Sequence, residues 1–104
     1  MIKHIVMWNM VGDTGKDRRE AAEFLRSRFE ELRGEVPGLL HLEVGLDQSC
    51  VDYACDVVLY TEFESQEALD AYAIHPAHLR VKDELGQMRV ARFQVDYAVM
   101  AGAL

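Results

Sequence analysis

Four histidines and four tyrosines hold most of the chemistry open to this chain. The segment Ala71-Tyr72-Ala73-Ile74-His75-Pro76-Ala77-His78 brings two imidazoles and a phenol together. An imidazole changes charge near neutral pH and can take or return a proton. A phenol beside it can donate a hydrogen bond to an oxygen that gains negative charge. Tyr72 precedes His78 by six residues, so its hydroxyl reaches that ring only if the chain bends at His75-Pro76. The same residues also admit a structural role, with Tyr72 as a half-buried core aromatic and the two histidines pinning a helix junction.

The same segment offers donors for a metal centre. His75 and His78 are three apart and could share a helix face, with His4, Asp83 and Glu84 as further donors. No third ligand stands at a recognised spacing such as HExxH. Cys50 and Cys55 make neither a CxxC pair nor a four-ligand set. The sequence therefore predicts no metal site and no cofactor. Cys55 is expected to fill the core and Cys50 to be an exposed loop thiol.

Positioning such residues requires elements, and hydrophobic period supplies them. From Ile2 to Val11 the residues His4, Val6, Trp8 and Met10 alternate with Ile5, Met7, Asn9 and Val11, a strand with both faces largely apolar. Trp8 and Asn9 face opposite sides, so they cannot serve one ligand together, and Trp8 is expected mainly to pack. Gly12 to Gly15 form a turn with capping chemistry. Ala21, Phe24, Leu25, Phe29 and Leu32 then recur at helical spacing as far as Gly34. After Pro37-Gly38, a second strand from Leu40 to about Asp47 turns Leu42, Val44 and Leu46 to one side and His41 and Glu43 to a solvated or interface side. A third strand runs from Cys55 to Phe63.

Ser65 caps a helix with Leu69, Tyr72 and Ala73 inward. Pro76 interrupts it and opens a second short helix, because proline suits a first helical position. From about Met88 a last strand sends Ala91, Phe93, Val95 and Tyr97 one way and Arg92, Gln94 and Asp96 the other. The order β-α-β-β-α-β predicts a ferredoxin-like α+β fold, one four-stranded antiparallel sheet with helices on one face. The uncovered face, carrying Ile5, Met7, Val58 and Phe93, is too apolar for a monomer, and a second copy closing a barrel is the expected cover.

Length and charge limit the partners. The chain has 104 residues, read as a single domain over 1–104, and a net charge of −7. That charge excludes nucleic acid and anionic membrane surfaces. No stretch approaches the ~20 apolar residues of a bilayer span. The N-terminus lacks the pattern of a secretory signal, so a cytoplasmic location is expected.

The sequence resembles the stress-responsive dimeric α/β-barrel (Dabb) domain family over nearly its whole length. Lys3-His4-Ile5-Val6, Pro37-Gly38-Leu39-Leu40, Phe63-Glu64-Ser65, Val95-Asp96-Tyr97 and, most specifically, the Ala71–His78 segment carry the likeness. It implies a homodimer of ferredoxin-like subunits. The motifs are most similar to those of olivetolic acid cyclase-like members, which close a polyketide by aldol condensation without metal or organic cofactor. The resemblance puts their active histidine and tyrosine on His78 and Tyr72 and a further pocket histidine on His4. Another pocket histidine falls on Val57 and is lost.

Two functions follow from these readings. One is a homodimer that binds a small molecule between sheet and helices, with His4, His75, Trp8 and Arg92 as ligand contacts. The other is a cofactor-independent acid/base enzyme with His78 as base and Tyr72 as donor. An inward Arg92 must pair with a carboxylate such as Asp96 or Asp56, or receive an anionic ligand. A small carbonyl or carboxylate compound is the expected partner.

Overall fold

A computed structural model describes residues 1–99, and residues 100–104 of the expected domain lie outside the described residues. The elements are β1 (Ile2–Met10), α1 (Gly15–Glu30), β2 (Leu39–Leu46), β3 (Val57–Phe63), α2 (Gln66–Ala73), α3 (Pro76–Leu85) and β4 (Arg89–Ala98). The four strands form one antiparallel sheet in the order β2-β3-β1-β4, the ferredoxin-like arrangement.

The inner row of β1 (His4, Val6, Trp8 and Met10) is buried together with Val57, Leu59, Thr61 and Phe63 of β3. Ala21, Leu25 and Phe29 of α1 and Leu69 and Tyr72 of α2 close over these rows. Thr14 caps α1 by accepting the amide of Asp17, and Ser65 caps α2 by accepting that of Ala68. Gly38, at φ +82°, lets the chain pass α2 closely, because a Cβ there would lie 2.5 Å from that of Ala68.

Several sequence expectations are corrected. Phe24 is exposed with the Arg28 guanidinium over its ring, since it sits at the margin of the stripe set by Ala21, Leu25 and Phe29. Ala73 is exposed as well, although Tyr72 beside it is buried. α1 ends at Glu30 and passes into turns before Gly34, and β3 begins at Val57 because Asp56 turns back to accept the Met10 amide.

Both edge strands contain an irregularity that simple alternation does not foresee. In β2, Leu39 opposes Phe63 and His41 opposes Glu62, so Leu40 is an extra residue turned out to solvent. In β4, Ala91 opposes Asn9 and Arg89 opposes Met10, so Val90 is extra. Arg33, just past α1, donates from Nε and Nη2 to the carbonyl of Leu42, covering part of the β2 edge.

Candidate functional site

The sheet has more width than the helices cover. α1 and α2 lie over β2, β3 and β1, leaving the helix side of β4 open beside α2 and α3. There a cavity of about 240 Å³ is lined by His4, Trp8, Tyr72, His78 and Arg92, together with Gln94 and Asp96. Five of the six sequence-singled residues thus meet at one place. His75 does not. It occupies the N-cap of α3, where its Nδ1 accepts the amide of Ala77, so the expectation that it contacts ligand gives way to a capping role.

The bend that Tyr72 and His78 require exists. α2 stops at Ala73, His75 is extended, and Pro76 opens α3 as its first residue. The Tyr72 and His78 rings stack with centroids 4.1 Å apart. Tyr72 is buried against Phe63, and among the described residues its hydroxyl makes no hydrogen bond. No buried side-chain oxygen is left unpartnered there, so that hydroxyl opens onto the cavity. Burial, opposed by the Arg92 charge, raises the Tyr72 phenol above its ordinary range and keeps it a donor.

His78 behaves differently from a base poised near neutrality. Burial pushes its imidazole down to about 4, with Lys82 and Arg92 acting in the same direction against hydrogen bonds that the ring donates to the backbone carbonyls of Ala73 and Tyr72. At neutral pH the ring is uncharged and a weak proton acceptor. With its Nδ1 3.3 Å from the carbonyl of Ala73, it forms a fixed wall behind Tyr72.

The pairing of β1 with β4 creates a second imidazole site. His4 lies opposite Asp96, and the two side chains meet on the helix side with His4 Nδ1 2.5 Å from Asp96 Oδ1. His4 is only 5% exposed. The Asp96 carboxylate also accepts Gln94 Nε2 at 3.0 Å, and Gln94 Oε1 accepts the Arg92 guanidinium. A polar row therefore runs along β4 from Arg92 to His4. Among the described residues Arg92 reaches a carboxylate only through Gln94, which corrects the expected ion pair with Asp96 or Asp56. Asp56 is engaged by the Met10 amide and lies 3.9 Å from Arg18.

Trp8 is buried and stacks on Phe29 at 5.5 Å, presenting only part of its ring to the cavity. Arg89 also lines the cavity, where simple alternation along β4 does not place it. Among the described residues there is no group of three or more His, Cys, Asp or Glu side chains that could hold a metal ion. No helix of these residues is long and apolar enough to cross a membrane.

A four-stranded antiparallel sheet with helices on one face and a polar cavity beneath them defines a ferredoxin-like α+β domain. The chain belongs to the stress responsive A/B barrel domain family (Dabb), whose model matches residues 2–99. A dimeric protein of unknown function with a ferredoxin-like fold from Bacteroides fragilis superposes with a TM-score of 0.82 at 25% identity, over 94% of this chain and 95% of its own. A dimeric ferredoxin-like protein of unknown function from Jannaschia gives 0.71 at 27% identity, over 94% and 98%. The hydroxynitrile lyase of Passiflora edulis shares the fold at a TM-score of 0.77 and 13% identity, over 95% and 93%. No curated protein sequence matches the chain significantly.

Proposed function

We propose that the chain binds a small carbonyl compound in this cavity, as a homodimer, and moves a proton on it without a cofactor. The observation that supports this is the His4–Asp96 pair at 2.5 Å in the wall of the cavity that the Tyr72 hydroxyl also enters. Asp96 holds the ring in the tautomer with the proton on Nδ1, which leaves the Nε2 lone pair free. That nitrogen takes a proton from the carbon beside the carbonyl. The C–H electron pair moves into the new C=C bond, and the carbonyl oxygen becomes an enolate oxygen that accepts the Tyr72 hydrogen bond. The proton on Nε2 exchanges with solvent, and return of a solvent-derived proton (a deuteron in deuterium oxide) from Nε2 to the carbon closes the cycle. Proton transfer thus passes from His78, where the family resemblance put it, to His4, because burial weakens His78 as an acceptor.

The homodimer is supported by the open sheet face, where Phe93, Val95 and Tyr97 are 54%, 52% and 45% exposed. An apolar patch of this kind is what a second copy covers in a symmetric pair. The relatives from Bacteroides fragilis and Jannaschia are dimeric, and a lyase is housed by the same fold.

Deuterium uptake beside the carbonyl of 2-pentanone, followed by proton NMR, tests the chemistry. The wild-type chain should accelerate uptake, and His4→Gln should abolish that while its circular dichroism is unchanged. No acceleration by the wild type, or full acceleration by His4→Gln, overturns proton transfer at His4.

A further inference from the structure

Lys82 of α3 and Arg89 and Arg92 of β4 gather along one side of the cavity. Arg18, Arg26, Arg28 and Arg33 each find a carboxylate, but among the described residues these cavity cations form no ion pair. Arg92 donates to the neutral Gln94 amide and Arg89 to the Gly86 carbonyl at 3.4 Å, so neither charge is balanced. The acidic groups of the same cavity are already engaged. Asp70 accepts from Gln66, and Asp96 accepts from Gln94 and His4.

The two guanidiniums owe their closeness to the backbone. Residues 89 and 92 differ by an odd number, and regular alternation would turn them to opposite faces. The extra residue at Val90 reverses this by setting Arg89 opposite the inward Met10, just as Arg92 stands opposite the inward Trp8. Burial, together with the repulsion of Arg92, holds Arg89 below its ordinary range. Lys82, Arg89 and Arg92 outnumber the carboxylates Asp70 and Asp96 in the same lining, so in a chain of net charge −7 the cavity wall carries an excess of the opposite sign.

We propose that Arg89 and Arg92, with Lys82 beside them, form a subsite for an anionic oxygen group, so that the cavity takes ligands bearing a carboxylate or phosphate at one end. The planar donors of two guanidiniums suit the paired oxygens of such groups. The inference rests on the function proposed above only in assigning a carbonyl to the other end of the ligand.

Calorimetric titration of the full chain with 4-oxopentanoate, its methyl ester and inorganic phosphate is the test. The acid should bind at least about tenfold more tightly than the ester, with the difference shrinking as salt rises. Arg89→Gln with Arg92→Gln should erase the difference, and the corresponding lysine pair should keep part of it. Displacement of the acid by phosphate supports the subsite and extends it to phosphate-bearing ligands. Its failure, with the acid bound, restricts the subsite to carboxylates. Equal affinity for acid and ester, an acid preference that survives the glutamine pair, or no binding of either anion below about 10 mM overturns the proposal. Deuterium uptake by 2-pentanone, which bears no anionic group, is followed alongside, so loss of proton transfer and loss of anion binding are read separately.

Discussion

Strand β4 carries two exposed rows of opposite character. Phe93, Val95 and Tyr97 turn to the open side of the sheet, and Arg92, Gln94 and Asp96 turn to the helix side. Exposure alone does not separate them, because neither row is covered within one chain. Composition does: aromatic and β-branched side chains suit an apolar cover, whereas a hydrogen-bonded polar row suits solvent and an oxygen-rich ligand. An edge strand left half uncovered by its own helices therefore faces two kinds of partner, one on each side.

Breaking the outer row should have the largest effect. Phe93→Asp places a carboxylate where the partner copy is expected, and a loss of about 4 kcal/mol, at the upper end for one substitution, should follow. Sedimentation equilibrium would show it as monomer or as unfolded chain. A dimer of unchanged stability would mean that the aromatic row is not the interface.

On the inner row, Asp96→Asn should leave the dimer intact and slow deuterium uptake about 100-fold at pH 7, since an amide no longer enforces the His4 tautomer. NMR exchange rates compared at matched binding provide the measurement, and an unchanged rate would detach Asp96 from the chemistry.

The smallest effect concerns the wall opposite these rows. Unfolded His78 takes its proton near 6.5, whereas the folded ring resists until about 4. The unfolded state therefore binds more protons between those values, and stability should be full above about 6.5 and fall as pH drops toward about 4. Allowing for the partial exposure of the ring, this amounts to about 1 kcal/mol over the window. Urea midpoints at pH 6.5 and pH 4.5 should lie closer together in His78→Gln than in the wild type, and an equal separation would assign the acid sensitivity elsewhere.

Much of this arrangement can be read from period and punctuation. Alternation in Ile2–Val11 already puts His4 with Val6 and Trp8, and in β4 it already sets Arg92, Gln94 and Asp96 apart from the aromatic row. Pro76 announces the bend that stacks Tyr72 on His78. Pairing between distant strands is not local information. That His4 meets Asp96 depends on the register of β1 against β4, to which no short window of sequence refers. Arg89 was missed for a related reason, because an alternation count assigns it to the wrong face unless the bulge is known. His75 carries the signal of a cap in the proline that follows it, yet an imidazole beside a second histidine draws attention to ligands instead. The weak basicity of His78 comes from burial by several elements, and residue type does not report it.

The extra residue at Val90 also makes pairing matter more than identity in one stretch of the chain. Val90 is exposed, so many side chains fit there, but its lack of a partner on β1 sets the face of everything before it in the strand. Straightening the strand so that Val90 paired with Met10 would carry Arg89 across the sheet, from the cavity to the side reserved for the second copy, whereas losing Val90 would leave Arg89 opposite Met10 by ordinary alternation. Relatives that vary freely in sequence through this stretch, while keeping an inward residue opposite the counterpart of Met10, would be preserving a geometric instruction that similarity scores do not see.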